Sequence, residues 1–155
     1  MAEPKNLHHG RSATRRFRMP RMTRSALASL VVLSTQTPPE AITQTLGMAP
    51  TNVVPQGSIL RSGQPQEFHM WSVDSGRLPD APGDRTGTAA LRWLLDRCRA
   101  ASGKVADLPA DCEARIWWSS GSDSPDDFVV PSELVADVEA LGVDIHTATS
   151  LDEHS

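Results

Sequence analysis

Apolar residues fill both alternating faces of the segment Ala26–Leu33, Ala-Leu-Ala-Ser-Leu-Val-Val-Leu. A strand with one wet side would alternate, so this pattern predicts a central strand buried on both faces. Thr37 and Glu40 have capping-box spacing around Pro38 and Pro39, and Ile42 and Leu46 share a face before Gly47. That predicts a short helix with Pro38 at its first position and Gly47 as its left-handed stop. A short strand is expected at Asn52–Val54 and a longer one at Glu67–Val73. In the longer strand Phe68 and Met70 point one way and His69 and Trp71 the other. Gly76, Pro79, Pro82 and Gly83 make residues 74–84 a loop.

Thr88–Ala101 carries the best helical stripe, with Leu91, Leu94, Leu95 and Cys98 on one side and Arg92, Asp96, Arg97 and Arg99 elsewhere. Glu113–Ser119 reads as a strand with Ile116 and Trp118 on one face and Arg115 and Trp117 on the other. A polar turn over 120–126 and a short strand at Phe128–Val130 follow. Pro131–Leu141 is predicted helical, with Leu134, Val135, Val138 and Leu141 inward, and Val143–Thr147 is the last strand. Strands and helices interleave without a strict βαβ repeat. The expected class is α+β: one mixed, mostly antiparallel sheet with three helices mainly on one face.

The 155 residues suffice for one domain. Apolar residues make up 39% and charged residues 22%, a globular composition. Charge is divided unevenly. Residues 1–24 hold seven Lys and Arg against Glu3 alone, a net of +6. The rest holds 8 basic and 18 acidic residues, a net of -10. The basic stretch has few apolar groups and no period, so it is expected to be a disordered tail ahead of a domain spanning 25–149, with a frayed end at 150–155. A solvated extension, or a start at Met19 or Met22, is favoured over an export signal or a nucleic-acid arm. Nucleic acid would find the acidic domain repulsive except through that tail. No apolar run approaches the roughly 18 residues of a membrane span, so no membrane partner is expected.

Chemistry-bearing motifs are sparse. Cys98 lies on an apolar helix stripe and Cys112 between two acids, a setting that raises a thiol pKa. The segment Gly57–Gly63 lacks the Lys-Ser/Thr end of a phosphate loop. Asp123, Asp126 and Asp127 lack the ligand spacing of a calcium loop. No His or Cys spacing fits a metal site, and no cofactor is expected.

The ordered set of an apolar strand, Pro39-Glu40-Ala41-Ile42, Leu46-Gly47-Met48-Ala49-Pro50-Thr51, the strand Met70-Trp71-Ser72-Val73, the Leu91/Leu94/Leu95 helix, Trp117-Trp118 and Leu141-Gly142-Val143-Asp144-Ile145 resembles the uncharacterised bacterial family called domain of unknown function 4279, over about residues 26–148. The resemblance implies a small bacterial cytosolic α+β domain. It brings no catalytic residue.

A sheet with helices on one side leaves the other partly open. His69, Trp71, Arg115 and Trp117, with Asp144 and His146, are expected to share that open face, where Trp71 and Trp117 either cover the sheet beneath the loop at 74–87 or bind an unknown protein or small ligand, a basic protein among them. An immunity-type or regulatory role fits such a module. The alternative is a small hydrolase using His69 or His146 with Asp144. The charge pattern yields a first prediction: removal of residues 1–21 should change the thermal midpoint by less than about 5 °C, roughly 1 kcal/mol for a domain of this size. A larger loss in a calorimetric scan would show that the tail packs.

Overall fold

In a computed structural model, the structure describes residues 25–79, 88–120 and 130–149. β1 (Ser25–Ser34) lies at the centre, as its two-sided apolar pattern requires. Ser29–Ser34 pair antiparallel with β3 (His69–Asp74), and Leu27–Ser34 pair antiparallel with β5 (Cys112–Ser120). β2 (Asn52–Val54) adds to β3, and β6 (Asp144–Thr149) runs parallel to β5. The sheet is therefore mixed and mostly antiparallel, in the order β2-β3-β1-β5-β6.

The backbone of β1 is satisfied beyond the end of β3. Ala28 N–H donates to Ser75 Oγ (3.0 Å), and Ala28 carbonyl accepts from Ser75 N–H (2.8 Å). Ser25 and Ala26 pair with β4 (Leu78–Pro79), a two-residue strand inside the segment predicted to be loop. Its brevity and its proline conceal it in the sequence.

Helices α1 (Pro39–Leu46), α2 (Thr88–Arg97) and α3 (Ser132–Leu141) make the three expected helices. α2 continues as a 3-10 turn over Cys98–Ala101. The capping box at α1 does not form. Pro38 is the N-cap, Pro39 takes the first helical position, and no side chain caps the helix. Thr37 is engaged elsewhere: its N–H and hydroxyl donate to Asp111 at 2.9 and 2.7 Å, and Gln36 N–H donates to the same carboxylate at 2.7 Å. A charged acceptor wins over a neutral helix end. Gly47 stops α1 as expected, at φ 72°, its N–H donating to Thr43 carbonyl at 2.9 Å.

The even-numbered side chains of β1, Ala26 through Val32, are fully buried against the helices. With them lie Trp71 and Val73 from β3, Ile116 and Trp118 from β5, and Leu91, Leu94, Leu95, Cys98, Leu134 and Leu141 from the helices. Trp71 Nε1–H finds a partner inside this core in Thr43 Oγ1 of α1, at 2.9 Å. Val135, expected inward, is 51% exposed. It sits about 100° round the helix from Leu134, outside the stripe that Leu134, Val138 and Leu141 form. The expected strand at 128–130 falls outside the described residues but for Val130, which packs on the core. The basic stretch 1–24, the end at 150–155 and the turn expected at 120–126 also fall outside them, except that Ser120 is the last residue of β5.

Two predictions follow from this packing. Leu94→Ala and Leu134→Ala should each cost about 2–5 kcal/mol in denaturant melts, because both side chains are almost wholly buried in the core. A cost below about 0.5 kcal/mol at both would contradict the packing. The second concerns pH. The hydroxyl of Thr37 and the two backbone N–H groups pull Asp111 down to about 2, from 3.8. A carboxylate lowered on folding stabilises fully above its unfolded pKa and loses that contribution as pH falls towards its folded one. Asp111→Asn should therefore lower the melting temperature at pH 7, and the gap to the parent should close between about pH 4 and pH 2. A gap independent of pH would mean that the carboxylate charge plays no part.

Candidate functional site

The registers assign every strand residue to a face. Val32 pairs with Trp71, whereas Ser29 pairs with Trp117. Val32 and Ser29 are three positions apart, an odd number, so the two tryptophans lie on opposite faces. Trp71 is completely buried beneath α1 and Trp117 is 44% exposed. His69 goes with Trp71: it pairs with Ser34 on the helix side, and its Nδ1 accepts the N–H of Gln56 at 3.1 Å. The expected grouping of His69, Trp71, Arg115 and Trp117 is thus corrected. The alternation within each strand is as predicted, but the register on β1 puts β3 in the opposite phase.

Arg115, Trp117, Asp144 and His146 do share the open face. β6 aligns with β5 so that Asp144 lies opposite Arg115 and His146 opposite Trp117. The Trp117 and His146 rings have centroids 4.9 Å apart and are tilted by 37°. The Arg115 guanidinium pairs with Glu113, two residues back on the same face. Beneath them on β1 lie Ser29 and the half-buried Leu27, Val31 and Leu33.

The β3 half of this face has a different character, which the sequence reading missed. Asp74 accepts the Ser29 hydroxyl at 2.5 Å, the Thr51 hydroxyl at 3.1 Å and the Ser72 hydroxyl at 3.4 Å, and its own N–H donates to Thr51 Oγ1 at 2.9 Å. Here the polar groups satisfy one another. The β5–β6 half presents a ring pair and an ion pair to solvent. The alternation of Met70-Ser72-Asp74 against Trp71-Val73 was the available signal: the set bearing Ser and Asp faces outward.

Neither cysteine on this framework is activated as a nucleophile. Burial pushes the Cys98 thiol up to about 11, and burial, then the Asp111 charge, raises that of Cys112, against the Thr37 hydroxyl. Both thiols are free. Asp144 and His146 are two residues apart on one strand, yet among the described residues no hydrogen bond joins them to each other or to Ser119 on β5. His69 cannot serve Asp144, since three inter-strand steps of about 4.8 Å and the thickness of the sheet divide them. Among the described residues no three His, Cys, Asp or Glu side chains gather as a metal ion needs, and no helix is long and apolar enough to cross a membrane.

This arrangement, an open mixed sheet with three helices, defines an α+β domain whose solvent-facing strand pair carries an aromatic and ionic surface. The chain belongs to the family described as Domain of unknown function (DUF4279), whose model matches residues 22–152. Neither comparison with curated proteins nor comparison with solved structures gave a match.

Proposed function

We propose that this domain is a non-catalytic binding module that engages a protein partner through the β5–β6 half of its open face, in an immunity-type or regulatory role. The observation that carries this reading is Trp117. A large indole, 44% exposed, is held by its strand and by the His146 ring rather than by the core. Tryptophan and arginine anchor interfaces because they bring large contact area and charge-assisted hydrogen bonds at small entropic cost. Around them Glu113, Asp144 and Asp74 outnumber Arg115, and residues 25–155 carry a net charge of -10, so the favoured partner is basic. The competing reading, a hydrolase using His146 with Asp144, lacks a joined acid–base pair.

Trp117→Ala tests the proposal. It should shift the melting temperature by no more than about 5 °C, as for an exposed side chain. It should also abolish retention of a stoichiometric partner that the parent protein captures from a bacterial lysate, a loss of about 30-fold or more in affinity. Trp71→Phe, on the other face, should retain that partner. Capture that survives Trp117→Ala, or a stability cost of about 3–5 kcal/mol, overturns the reading. Hydrolysis of a substrate panel that disappears with His146→Ala would favour the enzyme instead.

A further inference from the structure

On the helical side of the sheet, α2 and α3 leave a groove of about 460 Å³ between them, with Leu78 of β4 at one end. A smaller hollow of about 100 Å³ continues along the same two helices, and Arg99 and Asp137 line both. The floor is apolar, formed by the half-buried Leu78 and the buried Leu134. Trp93 stands in the wall, 37% exposed although it belongs to a helix whose other large apolar residues are buried.

The charges in this groove do not balance. Arg92 pairs with Glu133 of α3 at 2.7 Å, and Arg99 pairs with Asp96 one turn back at 3.0 Å. Each cation thus has its carboxylate. The Asp137 carboxylate, which lines both hollows, has no hydrogen bond or ion pair among the described residues. What the groove offers is an apolar floor, an indole face and one uncommitted carboxylate. An alkyl stem ending in a cation suits all three: the stem covers the exposed part of Leu78, and the charge meets the indole and the carboxylate. The volume exceeds one side chain, and the groove follows two ten-residue helices, each about 15 Å long.

We infer that the α2–α3 groove binds a basic peptide segment of a partner protein, a Lys or Arg flanked by an apolar residue, with Asp137 and Trp93 receiving the cation. The -10 charge of residues 25–155 draws such a segment in and repels an acidic one. This site is on the opposite side of the sheet from Trp117 and does not depend on the binding role given to that face.

The test uses the full chain and a fluorescein-labelled nonapeptide of three Arg-Ala-Leu repeats, with three Glu-Ala-Leu repeats as the counterpart, in anisotropy titrations at low salt. The arginine peptide should bind at least about tenfold more tightly than the glutamate one, and its affinity should fall as salt rises. Asp137→Asn should weaken it about fivefold and Trp93→Ala about tenfold, with melting temperatures confirming that both variants fold. Asp137→Asn changes no buried group, so it keeps the test decisive if Trp93→Ala unfolds. Trp117→Ala should leave the affinity unchanged. Equal binding of the two peptides, full affinity in folded Asp137→Asn, or loss only in Trp117→Ala would each overturn the proposal.

Discussion

β1 is hydrogen-bonded along both edges, to β3 on one side and β5 on the other, so each side chain from Ala26 to Ser34 has one of two addresses. Its even residues meet helices and its odd residues meet the open face. Because cross-strand partners share a face, this one strand passes its phase outward to Trp71 and Val73, and to Arg115 and Trp117. β6 then inherits the phase of β5 through their parallel register. A slip of one residue at β1 would invert every face in the sheet, and the full burial of Leu30 and Val32 is what forbids it.

Local patterns in the sequence were sufficient for most elements because each element encodes its own period and ends. The double-sided apolar run of β1, the stripe of α2 and the Gly47 stop of α1 are local facts, and they appear where expected. What the sequence concealed is non-local. No residue near Trp71 says that it pairs with Val32 rather than with a neighbour one place along. Thr37 has the local spacing of a cap, but its actual partner, Asp111, is 74 residues away. Val135 departs from expectation for a smaller reason: helix geometry lets Leu134, Val138 and Leu141 share the inward stripe and leaves Val135 beside it. Half of the candidate site was therefore legible, the half lying on β5 and β6, because one parallel register keeps those two strands in phase.

The Asp111 contacts show how a surface group can organise a core. Its carboxylate holds Gln36 and Thr37, the residues that turn the chain from β1 into α1, and it precedes β5 by one residue. It thereby ties the end of the central strand to the start of its neighbour. Ser34, at that same end of β1, is buried and donates to Thr37 carbonyl at 2.6 Å, so the turn is held from inside and outside. α1 is positioned by this turn, and α1 carries the Thr43 hydroxyl that satisfies the buried indole of Trp71. The chain of dependence runs from an ionised surface carboxylate to a core tryptophan.

Trp71 and Trp117 are the same residue on adjacent neighbours of β1, and their environments set opposite roles. Trp71 has a helix above it, a hydroxyl for its N–H and no exposed surface, so its indole is spent on cohesion. Trp117 has a histidine ring beside it and solvent above, so most of the free energy of burying its exposed part is still available to a partner. Trp93 on α2 is intermediate, with an exposed indole above a floor that belongs to the core. The open face and the groove are separated by the sheet and its helical layer, more than the about 7–10 Å over which substitutions couple. Each surface can therefore change without disturbing the other, provided that the register of β1 holds.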